Sequence, residues 1–319
     1  MASPAVLGLV LFLAVPIVLT VWVSFRDWSG LGSPFESEYS GLDNYRELLT
    51  EEGLRRKDFA ISIRNTLYYV LIVVPLQTAL ALFLAFLVNQ RFLRGRGGFR
   101  TLLYFPSITS SIAVTLIWLV LFRGSGIVNR ILPIDRIDWF DEPNGIIHNL
   151  FGVIGVDDEP SWLSGEVFEL SWWEWLSGPS VALFAIMLLT IWTTSGTMML
   201  IFLGGLQNIN PDLEEAAAID GATWWKRFRL IVVPLLRPQM YLVVVLGIIG
   251  SWQVFDQAYA ANLGGPQKTT FTPSLLIYLQ AFQNSKAGLA AATAVLLFFV
   301  IILFTWLQRR VTGSSEVTT

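Results

Sequence analysis

The sequence contains no cysteine and a single histidine, His148. These two facts exclude disulfide bonds, thiol catalysis and any metal site built from cysteine and histidine. His148 lies in a polar loop, and we expect it to be solvated. The glycine-rich segment 94–98 lacks the lysine and the preceding strand of a phosphate-binding loop. We therefore predict no catalytic residue, no metal and no cofactor in this chain, and no ATP hydrolysis by it.

Charged residues are also scarce. They make up 14% of the chain, whereas a soluble globular domain has about 25%. Hydrophobic residues make up 54%, so much of the surface is unsuited to water. The net charge of −3 does not favour nucleic acid as a partner.

Six apolar runs are long enough to cross a hydrocarbon core of ~30 Å as helices. Each run is too long and too continuously apolar for a strand. Residues 1–24 carry no basic residue and no cleavage site of the kind found in signal peptides, so we predict a retained first helix. The sequence thus predicts an all-α membrane protein in contact with lipid, a single transmembrane domain over 1–319. Its six spans cover about 4–25, 66–88, 101–122, 179–206, 239–260 and 287–308.

The distribution of charge in the loops predicts the orientation, because cytoplasmic loops are enriched in lysine and arginine. The loop 123–178 contains ten acidic residues against three arginines, so we place it outside. We interpret it as an enlarged loop. Both termini are then cytoplasmic, in a multi-pass protein of a prokaryotic inner membrane. The basic residues facing the cytoplasm are Arg91, Arg94, Arg96, Arg100, Lys226, Arg227, Arg229, Arg237, Arg309 and Arg310.

Two outer segments have patterns of their own. Residues 41–49 carry apolar side chains at helical spacing, which predicts a short helix on the outer surface. The third loop contains four tryptophans, which are typical of membrane interfaces. They serve either as interfacial anchors or as contacts for an external partner. They are Trp162, Trp172, Trp173 and Trp175.

The loop 207–238 is unusual for a link between two spans. Asn210 suits an N-cap and Pro211 the first helical position. Gly221 can end that helix at positive φ, and we expect a second helix to start at Ala222 and to stop at Pro234. Such a rigid helix-turn-helix either inserts into a cleft of another protein or anchors the loop at the membrane surface. The residues alone do not favour one over the other.

A resemblance separates the two readings. Glu215-Ala216-Ala217, Gly221, Ile231 and Val233-Pro234 stand at the spacing of the EAA loop, and the chain therefore resembles the permeases of binding-protein-dependent ABC importers. In that family the loop forms a coupling helix that docks into the ATPase subunit. The resemblance implies a type I permease bundle and a separate ATPase that binds ATP and Mg. By the same resemblance the coupling residues are Glu214, Glu215, Ala216, Ala217, Asp220, Gly221 and Pro234.

Further motifs are similar to the carbohydrate branch of that family, the maltose and glycerol-3-phosphate permeases. This resemblance implies three kinds of partner: a second, homologous permease, two copies of an ATP-binding subunit and an extracytoplasmic solute-binding protein. The motifs are Gly41 to Tyr45, Asn65-Thr66, Phe99-Arg100, Tyr104 to Pro106, Trp118 with Gly126 and Asn129, Gly264 to Pro266 with Thr270, and Gly288 to Ala292.

Polar residues inside the spans are the candidates for a substrate pathway, because they are costly in lipid. Thr190, Thr194 and Thr197 share one face of span four and serve either helix packing or the pathway. In span five, polar side chains at i, i+3 and i+4 adjoin an aromatic stripe, an arrangement that suits sugars. The alternative is a set of interfacial aromatics beside a carboxylate that reaches solvent. The span-five residues are Trp252, Gln253, Phe255, Asp256, Gln257 and Tyr259.

These observations predict the permease subunit of an ATP-driven importer of a sugar or oligosaccharide. A permease for glycerol-3-phosphate or another small solute is the first alternative. The absence of a basic residue deep in the spans weighs against a phosphate ligand. A stand-alone secondary transporter is the second alternative, but it would not need the cytoplasmic helix-turn-helix.

Overall fold

A computed structural model of the chain describes residues 3–90, 95–132, 136–153, 155–156, 158–261 and 263–312. Arg91, Arg94 and the acidic Asp135 and Asp157 of the orientation argument lie outside these residues. The α-helices are α1 (Ser3–Leu9), α2 (Val15–Val23), α3 (Asp43–Leu49), α4 (Leu54–Asn89), α5 (Arg96–Ile108), α6 (Ser111–Leu121), α7 (Ile127–Ile131), α8 (Ile146–Val153), α9 (Trp172–Trp175), α10 (Val181–Gln207), α11 (Pro211–Ile219), α12 (Trp224–Arg227), α13 (Val233–Leu235), α14 (Arg237–Trp252), α15 (Asp256–Ala260), α16 (Pro273–Tyr278) and α17 (Ala287–Thr312).

The remaining regular structure of the described residues is short. In them, two antiparallel hairpins join β1 (Arg26–Asp27) to β2 (Glu38–Tyr39) and β3 (Glu166–Val167) to β4 (Leu170–Ser171). Single 3₁₀ turns cover Pro34–Glu36 and Ser161–Leu163. The same residues include three segments with the wider turn of a π-helix, Val10–Ala14, Phe228–Val232 and Leu279–Gln283.

Among the described residues, five helical stretches are long and apolar enough to cross a membrane, and a sixth is formed if one bent helix pair counts as a span. The all-α, multi-span prediction is therefore confirmed. The stretches are Pro4–Val23, Leu54–Asn89, Val181–Gln207, Arg237–Ala260 and Ala287–Arg310, and the bent pair is α5 with α6. Helix α4 begins well before the predicted start of span two at residue 66.

The third predicted span, 101–122, is not one straight helix. Helix α5 ends at Ile108, α6 begins at Ser111, and the two are bent by 94°. Thr109 has an extended backbone, and its hydroxyl donates to the carbonyl of Phe105 at 3.0 Å. Threonine and serine hydroxyls compete with the helical hydrogen bonds in this way, and Thr109-Ser110 is where the apolar run changes direction.

The fifth span is also interrupted, which corrects the prediction that Gln253, Asp256 and Gln257 share one helical face. Helix α14 ends at Trp252, and α15 begins only at Asp256. The break leaves the carbonyl of Val254 without a helical partner, and Thr272 donates to it from its hydroxyl at 2.9 Å. Hydrophobic periodicity does not reveal such a break, because the stabilising threonine lies 18 residues further along the chain.

Contacts divide the described residues into two compact units. The first comprises those of Met1–Tyr68, Asp138–Leu183 and Trp252–Ile302. The predicted outer helix is present as α3, and Asn44 ties it to the end of α2 by donating to the carbonyls of Ser24 and Arg26, each at 3.0 Å. The buried core of the first unit consists of Leu48, Phe59, Ala258, Phe271, Leu275, Leu276, Leu289 and Ala292.

The second unit comprises the described residues of Tyr69–Ile137, Phe184–Ser251 and Leu303–Thr319. Trp118 donates from its indole N–H to the carbonyl of Ala185 at 3.0 Å, which joins α6 to α10. The buried core of the second unit consists of Ala81, Ala85, Val88, Met198, Met199, Phe202, Leu203, Leu206, Val232, Leu236 and Val243.

Candidate functional site

Helix α11 is capped at both ends by the residues that the sequence predicts. The side chain of Asn210 accepts from the backbone N–H of Asp212 at 3.1 Å, and Pro211 occupies the first helical position. At the other end Gly221 has φ of +76°, its N–H donates to Ala218, and that of Ala222 donates to Ala217. These two bonds form a Schellman motif, which satisfies carbonyls that the last turn leaves free.

The second helix of the loop differs from its prediction at both ends. It begins at Trp224 rather than Ala222, because the Thr223 side chain accepts from the N–H of Lys226 and caps it. Pro234 does not stop it either. The π-helical segment Phe228–Val232 precedes α13, and Pro234 lies within α13, which is capped at Leu236. The wider turn accommodates the missing N–H of the proline, which would interrupt a regular α-helix.

The surface of α11 is open. The side chains of Leu213 and Ile219 are 47% and 87% exposed, although both are apolar. Glu215, Ala216 and Asp220 are exposed as well, and Ala217 is half-buried. The side chain of Glu214 lies outside the described part of the structure. Glu215, Ala216 and Asp220 therefore stand on a capped helix that the described chain leaves largely uncovered, whereas Gly221 follows its cap and Pro234 lies half-buried in α13.

The segment that follows α11 is anchored in the second unit. Val232 and Leu236 are buried in its core, and the ring of Phe228 meets that of Phe86 on α4 at 5.0 Å between centroids. Trp224 stacks on Phe228 at 5.6 Å and remains 58% exposed, and Trp225 lies beside both. We call Trp224–Leu236 the arm. It joins an exposed helix to a buried core.

The three threonines of span four are not equivalent. Thr190 is buried and accepts from the hydroxyl of Tyr69 on α4. Thr194 donates to the side-chain carbonyl of Gln77, also on α4, at 2.7 Å. Thr197 is exposed. The geometry of Thr190 and Thr194 favours packing between α10 and α4, and only Thr197 is open.

The span-five candidates lie around the helix break. Trp252 is fully buried at the end of α14, and Gln253 is exposed in the turn after it. Phe255 and Tyr259 stack at 5.4 Å between centroids, while Asp256 and Gln257 begin α15 and are half-buried. The predicted aromatic and polar side chains are thus brought together by a break and a short turn of helix.

Sequence reasoning missed three residues of this region. Thr272 fixes the break, as described above. Tyr278 on α16 meets Phe255 and Tyr259 at 5.4 and 5.3 Å, and Phe282 meets Tyr278 at 5.4 Å. A signal was present, because Tyr278 and Phe282 are four residues apart and therefore share a helical face.

The described part of the loop 123–178 is held to α4 by hydrogen bonds. Arg64 donates to the carbonyl of Glu174 at 3.0 Å, and Tyr68 donates to that of Trp175. Trp162 and Trp172 are exposed, as an interfacial or partner-binding role requires, whereas Trp173 stacks on His148 and Trp175 donates to Val167.

His148 is half-buried, so it is less solvated than the sequence predicts. Its ring stacks on Trp173 at 4.1 Å between centroids, and its Nε2 lies 3.0 Å from the carbonyl of Trp173. Burial lowers the pKa of His148 from its ordinary value, although the hydrogen bond to Trp173 opposes this. Among the described residues there is no group of three or more side chains that could hold a metal ion.

Comparisons with known proteins agree with this architecture. The chain is 31% identical over 307 residues to the trehalose/maltose transport system permease protein MalF of Thermococcus litoralis, covering 96% of this chain and 90% of the relative. Its fold resembles a chain in the crystal structure of a bacterial ABC transporter involved in the import of alginate, with a TM-score of 0.69 and 20% identity over 99% of this chain and 94% of that one.

A second solved structure is that of a bacterial alginate ABC transporter in complex with an alginate pentasaccharide-bound periplasmic protein. It gives a TM-score of 0.65 and 21% identity over 98% of this chain and 94% of the compared one. Residues 77–313 match the family described as binding-protein-dependent transport system inner membrane component. The chain therefore belongs to that family, as a multi-pass permease component of an ABC transporter in the cytoplasmic membrane.

Proposed function

We propose that this chain is the permease subunit of an ATP-driven importer of sugars or oligosaccharides, and that α11 docks into a separate ATPase subunit. The observation that carries the coupling role is the exposed, doubly capped helix on an anchored arm. A helix fixed in shape at both ends transmits displacement because it does not deform easily. The basic residues of the arm, Lys226, Arg227 and Arg229, support a cytoplasmic location for it under the positive-inside rule.

The substrate class rests on the relatives and on the helix break. The relative from Thermococcus litoralis is named for trehalose and maltose transport. Phe255 and Tyr259 present aromatic surface, and Gln253 and Gln257 supply amides that both donate and accept hydrogen bonds. This combination suits a ring with apolar C–H faces and a rim of hydroxyl groups.

The expected partners are a second permease subunit, two ATP-binding subunits that hold ATP and Mg, and an extracytoplasmic solute-binding protein. The span Pro4–Val23 supports the pairing of permeases, because only 6% of it is buried within the chain. Its remaining surface is free for lipid or for a neighbouring subunit. ATP binding would close the ATPase pair, move α11 and switch the spans between inward- and outward-facing states.

Reversal of a single charge tests the coupling role. We expect Glu215→Lys to abolish uptake and to prevent co-purification of the ATPase subunit, while the protein still inserts in the membrane. Glu159→Lys makes the same change at an exposed position of the outer loop and is the matched control. Undiminished uptake with Glu215→Lys contradicts the proposal, and so does a wild-type chain that purifies without any ATP-binding subunit.

A further inference from the structure

A small polar cavity lies within the first unit, where α4 and α17 begin. Its volume is about 170 Å³. Pockets for small-molecule ligands usually enclose about 300–1,000 Å³, so the space suits a single polar group better than a sugar. Under the orientation that the loop charges predict, this end of both helices faces the outside. We call it the outer cavity, and its polar lining consists of Arg55, Asp58, Gln280, Asn284 and Lys286.

The charges around the outer cavity are not equally balanced. Arg55 pairs with Glu47 on α3, and Asp58 pairs with Lys268 at 2.5 Å. Lys286 is half-buried and forms no salt bridge with another described residue. Lys286 is therefore the cation of this cavity that is open to an arriving anion.

The surroundings of Lys286 disfavour its charge. Burial lowers the pKa of Lys286, the nearby charge of Arg55 lowers it further, and Asp27 opposes both. Desolvation and a like charge each penalise the charged ammonium, whereas an opposite charge within ~4–6 Å favours it. A carboxylate in the outer cavity would therefore offset a cost that the chain alone leaves in place.

The backbone holds Lys286 at the edge of the outer cavity. Its N–H donates to the carbonyl of Gln280 at 2.8 Å, and the N–H of Asn284 donates to that of Leu279 at 2.8 Å. Both carbonyls belong to the π-helical segment Leu279–Gln283, a kind of turn that is frequent at functional sites. Between them Ser285 has φ of +51°, which is uncommon for a residue other than glycine. Lys286 thus presents its charge from a fixed backbone.

Gln280 provides a hydrogen-bonding group inside the outer cavity. It is only 3% exposed, and its side-chain carbonyl accepts from the hydroxyl of Thr293 on α17 at 2.8 Å. This bond leaves the N–H₂ group of the amide as the donor on the cavity side. A carboxylate accepts several hydrogen bonds, and it matches a site that offers an ammonium group and an amide donor.

We infer that the outer cavity receives one aspartate or glutamate side chain of the extracytoplasmic solute-binding protein. This inference rests on the proposed function, which places that protein on the same side of the membrane. Lys286 forms the charge-assisted hydrogen bond to the carboxylate, and Gln280 donates to its second oxygen. Charged contacts of this kind give a docked protein its orientation and its specificity.

The test uses the assembled transporter in nanodiscs of phosphatidylcholine, with and without phosphatidylglycerol, and the solute-binding protein that stimulates the ATPase activity of wild type. The concentration of that protein for half-maximal stimulation is measured for wild type, Lys286→Met and Lys286→Arg. Methionine removes the charge and keeps a side chain of similar length. Lys57→Met is the matched control, because Lys57 is half-buried at the same end of α4 and does not line the cavity.

We expect Lys286→Met to raise this concentration about tenfold, between the effects of an exposed and a buried ion pair. Lys286→Arg should change it less than about threefold, because the charge remains although the geometry differs. Lys57→Met should behave as wild type. A carbodiimide joins an amine to a carboxylate in contact with it. It should link Lys286 to an aspartate or glutamate of the solute-binding protein, and the link should be absent in Lys286→Arg, whose guanidinium does not react.

Other results overturn the inference. One is an unchanged concentration for Lys286→Met, and another is a carbodiimide link from Lys286 only within this chain or to another subunit of the transporter. An effect of Lys286→Met that appears only with phosphatidylglycerol assigns the outer cavity to a lipid phosphate, and the inference is then wrong. These results leave the proposed function intact. If no solute-binding protein stimulates the wild-type ATPase, the proposed function fails, and the inference fails with it.

Discussion

Substitution of Gly221 tests whether the shape of α11 matters for coupling. Gly221 has φ of +76°, in the left-handed region that side chains disfavour. No atom lies within 4 Å of the position that a Cβ would take at this residue. A substitution there therefore acts through backbone conformation, without a steric clash. This makes the position a clean probe of the cap.

The magnitude follows from that conformation. An L-residue in the left-handed region costs roughly 1–2 kcal/mol, asparagine tolerates it best, and a β-branched residue is a genuine outlier there. A cost of 1 or 2 kcal/mol lowers the ratio of the capped to the uncapped form by a factor of about 5–30. We expect Gly221→Asn to be nearly neutral, Gly221→Ala to weaken ATPase binding about fivefold, and Gly221→Val to weaken it by about thirtyfold or more.

The assay is the affinity of detergent-purified permease for its ATP-binding subunit, followed by ATP-driven uptake in vesicles. The loss of affinity should be largest for Gly221→Val, smaller for Gly221→Ala and smallest for Gly221→Asn. Uptake should decrease most in the variant that loses most affinity. The bonds from Gly221 to Ala218 and from Ala222 to Ala217 are the contacts that the strained variants lose. Full affinity and uptake for Gly221→Val would show that the left-handed cap is not required, and the reasoning would be wrong.

Three other predictions concern the fold and its response to pH. Gly288→Ala should abolish the yield of folded protein, because a Cβ there would lie 2.0 Å from the Arg26 carbonyl, whereas Gly250→Ala meets no atom within 4 Å and should be silent. Thr194→Val should lower the free energy of unfolding by about 1–3 kcal/mol, since it removes a hydrogen-bond partner of the buried Gln77, while the exposed Thr197→Val changes the melting temperature little. Burial lowers the pKa of His148 in the folded protein, so its ring should titrate below the ordinary value of about 6.5 when followed by NMR. Because the folded protein binds this proton less readily than the unfolded chain, the free energy of unfolding should decrease as the pH falls through this range. A pKa at or above 6.5 contradicts the burial of His148 against Trp173.

Much of the fold follows from local signals in the sequence. The long apolar runs predict the spanning helices because a helix satisfies its own backbone in lipid, whatever its neighbours are. The caps of α11 are predicted equally well, since Asn210, Pro211 and Gly221 act on the backbone within a few residues. The short helix α3 is confirmed for the same reason.

The features that the sequence did not reveal have two kinds of cause. The break after Trp252 is stabilised by Thr272, and the bend after Ile108 depends on a hydroxyl that turns back onto its own helix. An apolar run looks the same with or without such an interruption. His148 lies on α8, and its packing against Trp173, 25 residues away, partly shields it from solvent. Contacts between distant positions decide the break after Trp252 and the packing of His148, whereas the bend after Ile108 is local.

The arm has little freedom to absorb a displacement of α11 within the second unit. Val232 and Leu236 are buried in close-packed surroundings, and the ring of Phe228 meets that of Phe86 on α4. If α11 docks into an ATPase subunit as we propose, a displacement of α11 would therefore reach the core of the second unit, because the arm cannot deform without disturbing that packing.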